Sequence, residues 1–282
     1  MDYKNVKYLV IPDVHGRTFW EEPVKEYLEN CPDTKIIFLG DYLDPYQYEG
    51  ITPDDSIVVF ERILELKHQN PDRITLLLGN HDLHYVVNDK YGCRMDHKNK
   101  KKIVDIFGKE IDNFDLCKFD SINNKNIIFS HAGFTRGWVF NRMDKIYPNY
   151  EDIEPGERYY EIEYSTLKDI DWKKVLNETR VLSDVSFYRG GMDPFSSFLW
   201  TDISEMILAK DPLNAVQIFG HSQQVKDPVK YKNFYCLDCR KPFVVTDDAD
   251  VRNMDFSEIP DRTQVIDDEI KRKMENMSVF MQ

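Results

Sequence analysis

The sequence predicts a layered α/β fold, and three observations predict it. Four short apolar, β-branched runs, KYLVIPDVHG, KIIFLGD, RITLLLGNHD and NIIFSHAG, each end in polar residues of chemically active types. Their hydrophobicity is continuous rather than alternating, as in strands covered on both faces. Stretches of helical periodicity separate the first three runs, so the chain opens as βαβαβ.

The first strand is tipped by Asp13 and His15, and Phe19 to Glu29 follows with helical spacing. The second strand is tipped by Asp41 and Asp44. Pro53 to Gln69 then reads as a helix, opened by Thr52-Pro53-Asp54-Asp55, a start signal with proline in the first turn. The third strand ends at Asn80 and His81 and the fourth at His131; the later run VQIFGHS is a strand tipped by His221. Ligands of open α/β sheets collect at the carboxyl ends of strands, so five strand ends carrying metal-ligand residue types point to one site.

From Phe134 to Leu199 the pattern is irregular and rich in Tyr, Trp, Glu and Asp, with helices expected near Trp138 to Ile146 and Leu167 to Thr179. This segment, 134–199, reads as an insertion or cap beside the site. NFYCLDCRKPFVVTDD looks like two strands, and Asp267 to Met277 like an amphipathic final helix. Because the motif residues run from Asp13 to His221 and must meet at one place, residues 1–282 are expected to form a single domain.

Composition narrows the function. With 282 residues, 41% hydrophobic and 31% charged, the chain can bury a large core. Its formal net charge of -13 repels phosphate backbones, so long nucleic acids are disfavoured. Bound cations reverse the field locally, and small phosphorylated substrates remain allowed. Five cysteines, an odd number, and an N-terminus without a leader pattern suit a reducing cytoplasm. The longest apolar runs are strand length, far below the roughly 20 residues of a membrane span. Cys236 and Cys239 lack a second CxxC and read as two thiols on or beside a strand. The KNKKK run at Lys98 to Lys102 reads as a solvated face.

The strand tips carry the chemistry. Asp13 and His15 put a hard oxygen and a borderline nitrogen two residues apart, and Gly16 permits the tight turn after them. Asp41, adjacent to its strand, is the better candidate to bridge two cations; Asp44 either stays off the metals or is a turn residue before Pro45. Asn80 and His81 are neighbours that cannot easily serve one ion. The amide is a poor proton donor and the imidazole a good one, which assigns Asn80 to metal and His81 to general acid.

Together, Asp13-Val14-His15-Gly16, Gly40-Asp41-Tyr42-Leu43-Asp44, Gly79-Asn80-His81-Asp82, Ser130-His131-Ala132-Gly133 and Gly220-His221-Ser222 resemble the calcineurin-like metallophosphoesterases. The likeness runs from roughly Tyr8 to Asp238 and is greatest to the phosphoprotein-phosphatase branch, which includes Ser/Thr phosphatases and symmetrical dinucleoside tetraphosphatases. The resemblance implies a layered β-sandwich flanked by helices, with a dinuclear metal site at the strand C-terminal ends. It implies one divalent ion on Asp13, His15 and Asp41 and a second on Asp41, Asn80, His131 and His221. A bridging water or hydroxide would attack phosphorus while His81, oriented by Asp44, protonates the leaving oxygen. Two ions about 3.5 to 4 Å apart lower the pKa of such a water and neutralise phosphoryl charge. Oxygen and nitrogen ligands suit Mn²⁺, the first expectation, or Fe or Zn²⁺.

The chain also departs from that pattern. Pro45-Tyr46 stands where Ser/Thr phosphatases continue with Arg-Gly, so one phosphate arginine is missing. Arg189, in Tyr188-Arg189-Gly190-Gly191, resembles the other; Arg17, Arg136 and Arg240 are candidate substitutes, a fork-shaped donor being what phosphate recognition uses. Gln223 takes a position where many other metallophosphoesterases have histidine, and is not expected to bind metal. His84 and His97 fit no motif and are expected at the surface. The expected reaction is phosphomonoester hydrolysis, on a phosphoprotein or a small phosphorylated metabolite. The alternative is a phosphodiester or dinucleoside polyphosphate, whose base Tyr42 to Tyr48 or Tyr159 to Tyr164 would stack. A binding module that has lost its chemistry would show gaps among these residues, and none is visible.

Overall fold

Two sheets face each other, and the runs of continuous hydrophobicity are the strands between them. The computed structural model describes residues 5–87, 93–147, 151, 153–154, 162–177, 179–209 and 213–280. β1 (Val6–Ile11), β2 (Lys35–Phe38), β3 (Ile74–Leu77) and β4 (Phe114–Asp115) run parallel, with Leu9 opposite Ile36 and Phe38 opposite Leu76. β10 (Phe243–Thr246) pairs antiparallel to β1 and carries β11 (Val251–Asn253), completing a 6-stranded sheet in the order β11-β10-β1-β2-β3-β4. The second sheet has 5 strands, β5 (Cys117–Ile122), β6 (Lys125–Ser130), β7 (Val216–Phe219), β9 (Phe234–Cys236) and β8 (Val229–Tyr231), in that spatial order. β6, β7 and β9 are parallel, so their tips share one end of the sheet.

Alternate residues of each strand serve different layers, because side chains point to opposite faces with a period of two. Tyr8, Val10, Ile37, Leu39 and Leu77 pack with Ile127, Phe129, Ile218, Tyr235 and Leu237 between the sheets. Leu9, Ile11, Ile36, Phe38 and Leu76 instead pack with Val24 and Tyr27 of α1 (Glu21–Asn30) and with Ile57, Phe60 and Ile63 of α2 (Pro53–Gln69). Beyond the second sheet, Phe219, Phe234 and Cys236 meet Met206 of α9 (Ile203–Leu208). Both faces are apolar, so neither can alternate with polar residues.

The α2 start behaves as its sequence indicates: Thr52 Oγ1 accepts from the Asp55 N–H at 3.1 Å, and Asp55 Oδ2 accepts from the Thr52 N–H at 3.1 Å. α3 (Asn80–Val86) starts at a strand tip, and the KNKKK run leads into α4 (Lys100–Glu110), with Lys98 paired to Asp54 and Lys102 to Glu61. Between β6 and β7 the chain forms α5 (Arg136–Ile146), α6 (Tyr164–Lys168), α7 (Trp172–Asn177), α8 (Thr179–Leu182) and α9. The single helix expected over Leu167 to Thr179 is thus three short ones. α6 stops at Asp169, and the Asp171 carboxylate accepts from the Lys174 N–H at 3.1 Å, capping a new start. The last helix, α10 (Thr263–Phe280), is longer at both ends than Asp267 to Met277. Among the described residues no helix is long and apolar enough to cross a membrane. Cys236 and Cys239 are buried free thiols, at the end of β9 and just beyond it.

Phe129 is fully buried between the sheets, its ring centroid 4.8 Å from that of Tyr8. Phe129→Ala is expected to lower unfolding stability by about 3–5 kcal/mol, read from denaturant melts. A loss below about 1 kcal/mol would mean that the two sheets close the gap and are not held apart by this side chain.

Candidate metal centre

Each strand tip delivers its polar side chain through a backbone turn that the preceding residues permit. His15, Asp41, Asp44 and His221 adopt left-handed conformations with φ of 46°, 54°, 56° and 63°. Two glycines give the room: a Cβ on Gly79 would lie 2.1 Å from Asp41 Oδ1, and one on Gly220 would lie 2.1 Å from Asp13 Oδ1. Asp82, fully buried, fastens two tips together. Its carboxylate accepts from the N–H of Gly79 at 2.8 Å, of Asp41 at 2.7 Å and of Tyr42 at 3.1 Å.

The histidines are oriented by their outer nitrogens. Nδ1 of His15 donates to the Leu43 carbonyl at 2.7 Å and Nδ1 of His131 to the Leu39 carbonyl at 2.9 Å. That fixes the tautomer and turns each Nε2 lone pair inward. His131 Nε2 then lies 2.9 Å from Asn80 Oδ1 and 3.2 Å from His221 Nδ1, and His221 Nδ1 lies 3.0 Å from the same amide oxygen. Asp41 stands between the two sides, with Oδ2 3.4 Å from His15 Nε2 and Oδ1 3.5 Å from His131 Nε2. Ligand atoms of His15, Asp41 and His81 lie within 4.8 Å of one another, as do those of Asp41, His131 and His221. Asp13 belongs to neither triad; its Oδ1 accepts from the His221 N–H at 2.9 Å.

These donors fit a cation. Asn80 Oδ1, His131 Nε2 and His221 Nδ1 crowd together at hydrogen-bond distance, and with His131 Nδ1 already directed to the Leu39 carbonyl, the lone pairs gathered there suit a cation. Burial holds His15 down at about 3 and His221 well below the ordinary range, so both stay neutral. Burial, and next the charge of Asp41, push the Asp13 carboxyl up to about 7. Burial also opposes ionisation of Asp41, but His131, His81, His15 and His221 outweigh it and hold that carboxyl below its usual range. With His15 and His221 neutral, the two packed carboxyls draw further positive charge, which divalent ions supply. Asp13, His15, Asp41, Asn80, His131 and His221 are the residues that could hold them.

His81 is oriented from the other side. Its N–H donates to Asp41 Oδ1 at 2.9 Å, and Nδ1 lies 2.9 Å from Asp44 Oδ2. Asp44 also accepts from the Tyr85 hydroxyl at 2.5 Å. His84, expected at the surface, is 2% exposed, with Nε2 2.9 Å from Asp44 Oδ2. One turn along α3 from His81, it faces inward with it because helical neighbours three apart share a face. Burial works against ionisation of Asp44, but hydrogen bonds from His81 and His84 hold its carboxyl below the ordinary range. Asp44 is therefore a buried carboxylate with three partners rather than a turn residue. His97 is exposed.

The arginines sort clearly. Arg189 Nη2 donates to Ser222 Oγ at 2.8 Å beside His221, and its Nε lies 2.9 Å from Asp202 Oδ2. Arg17 and Arg240 both pair with Glu49, at 2.7 and 3.0 Å. Arg136 lines a different cavity of about 410 Å³ with Phe140, Phe187 and Phe195. Two contributors escaped sequence reasoning. Arg94 Nη2 lies 3.0 Å from His81 Nε2 and 3.5 Å from His15 Nε2. Asp238, just past β9, is 2% exposed; burial and then the Asp13 charge push its carboxyl well above the ordinary range. Neither belongs to a recognisable motif. Of the tyrosines, Tyr42 is core, stacked on Phe60 at 5.2 Å; Tyr164 is buried against Phe119; Tyr159 and Tyr160 lie outside the described residues.

The chain is 26% identical over 163 residues to a protein phosphatase 2A catalytic subunit of Dictyostelium discoideum, covering 58% of this chain and 47% of that one. It is 29% identical over 135 residues to the serine/threonine-protein phosphatase 6 catalytic subunit of Drosophila melanogaster, covering 45% of this chain and 39% of that one. The matched region thus spans less than half of either relative. A serine/threonine phosphatase structure from Saccharomyces cerevisiae aligns with 86% of this chain and 73% of its own, at 16% identity and a TM-score of 0.45. The profile of the calcineurin-like phosphoesterases matches residues 6–224, and the chain, a metallophosphoesterase with buried His/Asp clusters at its strand tips, belongs to that family.

Proposed function

We propose that the chain is a phosphomonoesterase, acting on a phosphoprotein or a small phosphorylated metabolite, in which Asp13, His15 and Asp41 hold one divalent ion and Asp41, Asn80, His131 and His221 a second. The observation that carries this reading is the division of Asp41, which offers one oxygen toward His15 and the other toward His131. When bound, two such ions acidify a water and offset charge on the phosphoryl oxygens. The chain's own residues do the rest. His81, its Nδ1 held by Asp44, presents Nε2 to the same space and donates the leaving-group proton from it. Arg189, beside His221 and anchored by Asp202 and Ser222, donates to the phosphoryl oxygens. Oxygen and nitrogen donors support Mn²⁺, with Fe or Zn²⁺ next. Five free cysteines suit a reducing cytoplasm. The net charge of -13 argues against long nucleic acids as substrates. A dinucleoside polyphosphate reading has less support: Tyr42 and Tyr164 are buried and Tyr46 lies under Arg94, its ring centroid 3.6 Å from Cζ, which leaves Tyr48, 71% exposed, as the open ring of the first group.

Elemental analysis of purified protein, with turnover of p-nitrophenyl phosphate and bis-p-nitrophenyl phosphate across Mn²⁺, Zn²⁺, Fe²⁺ and Mg²⁺, tests the proposal. Near two ions per chain with monoester turnover is expected; preference for the diester would favour the alternative, and no bound metal after reconstitution would defeat the assignment.

Two substitutions separate the roles. Asp41→Asn is expected to lower occupancy of both ions together, and loss of only one would place the shared ligand elsewhere. His81→Ala is expected to cut kcat by about 10²- to 10⁴-fold at unchanged metal content. Unaltered turnover, or loss of metal, would remove His81 from proton donation.

A further inference from the structure

Arg94 comes from the segment between α3 and α4, not from a strand tip, yet its guanidinium reaches the centre. Nη2 lies 3.0 Å from His81 Nε2 and 3.5 Å from His15 Nε2, so it spans two imidazoles set nearly perpendicular, with ring centroids 5.1 Å apart. Its Cζ lies 3.6 Å from the Tyr46 ring centroid, and Tyr46 itself sets its ring edge against His15 at 5.1 Å. A planar cation stacked on an aromatic face keeps its orientation while its N–H groups stay free to bond.

What Arg94 lacks is an anion. Arg17 and Arg240 are paired with Glu49, Arg189 with Asp202, and Arg142 with Asp184. Among the described residues no carboxylate pairs with Arg94, whose guanidinium meets imidazole nitrogens instead. The partners its Nη2 does have are imidazole nitrogens, weaker acceptors than a phosphoryl oxygen. Arg189 sits across the cluster, beside His221 and Ser222. The two guanidiniums therefore flank the histidine and carboxylate cluster from the His15–His81 side and from the His221 side.

We infer that Arg94, held flat by Tyr46, is a phosphoryl-binding residue of this site and, with Arg189, selects a dianionic terminal phosphate over a phosphodiester. The inference rests on the phosphoesterase reading above. A terminal phosphoryl group carries two negative charges and three non-bridging oxygens, enough to engage a fork on each side. A diester carries one charge and two such oxygens, and its second substituent takes the space of one fork. When the phosphoryl group arrives, Nη2 gives up His81 Nε2 for a phosphoryl oxygen, and the freed lone pair takes up from solvent the proton that His81 passes to the leaving oxygen.

The test is calorimetric titration of inorganic phosphate into the metal-loaded full chain, with turnover of p-nitrophenyl phosphate and bis-p-nitrophenyl phosphate measured alongside. Arg94→Ala is expected to weaken phosphate binding by about 10- to 100-fold at unchanged metal content. Its kcat/KM should fall further for the monoester than for the diester. Arg94→Lys should recover only part of the loss, a point charge replacing a fork. Tyr46→Ala, which removes the ring beneath the guanidinium, should weaken phosphate binding as well. Equal phosphate affinity of Arg94→Ala and parent, no phosphate binding by the parent, or loss of metal in both Arg94 variants would each overturn the inference. If no phosphoester is turned over, the proposed reaction falls while the phosphate titration still decides the role of Arg94.

Discussion

The site depends on one buried carboxylate. Asp41 emerges from β2 in a left-handed conformation, φ 54°, which aspartate adopts more readily than most residues and which its surroundings here hold in place. Those surroundings are visible: Asp82 holds the Asp41 and Tyr42 N–H groups, and the Gly79 turn passes so close that a single methyl there would strike the Asp41 oxygen. The Asp41 carboxylate in turn accepts the His81 N–H. The positions of α3, of His81 and of both histidine triads follow from where this one group is held.

Such an arrangement is unstable by itself. Placing Asp13 and Asp41 together, each about 2% exposed or less, among imidazoles that burial keeps neutral, forgoes the solvation that both carboxyls would have in water. The two-sheet framework makes it possible, since parallel strands β1, β2 and β3 of one sheet and β6 and β7 of the other end on the same side and are each buried on both faces. Rigidity from the sandwich core sets the donor positions; cations are what the donor positions then favour.

Much of this was legible in the sequence because it is written locally. Runs such as VIPDVHG and LLLGNHD show a strand, its end and its tip residue within seven letters, and Thr52-Pro53-Asp54-Asp55 announces a helix whose ends are Pro53 and Gln69. Where the signal is distributed, sequence reasoning fell short. Short strands such as β4 and β11 have too few residues for a period to show, and a single carboxylate at Asp171 was enough to divide one expected helix. His84 was misjudged because it matches no motif, although its three-residue spacing from His81 on a helix already put both on one face. Asp44 could be read as a turn or as a partner of His81, and only tertiary contact with His81, His84 and Tyr85 decides between them.

Arg94 shows why the remaining part could not be read in order along the chain. An arginine held near a strand tip by its own loop leaves a short pattern; one brought from the segment before α4 leaves none, since its meaning lies in Tyr46, 48 positions earlier, and in His15, 79 positions earlier. Pro45-Tyr46, which as sequence looks like the loss of a phosphate ligand, supplies the flat apolar surface on which another arginine lies. A guanidinium serves a site by its place in space, whatever its place in sequence. Recognition of an anion depends on the first of these, because Coulomb attraction and hydrogen-bond geometry act through distance and direction alone.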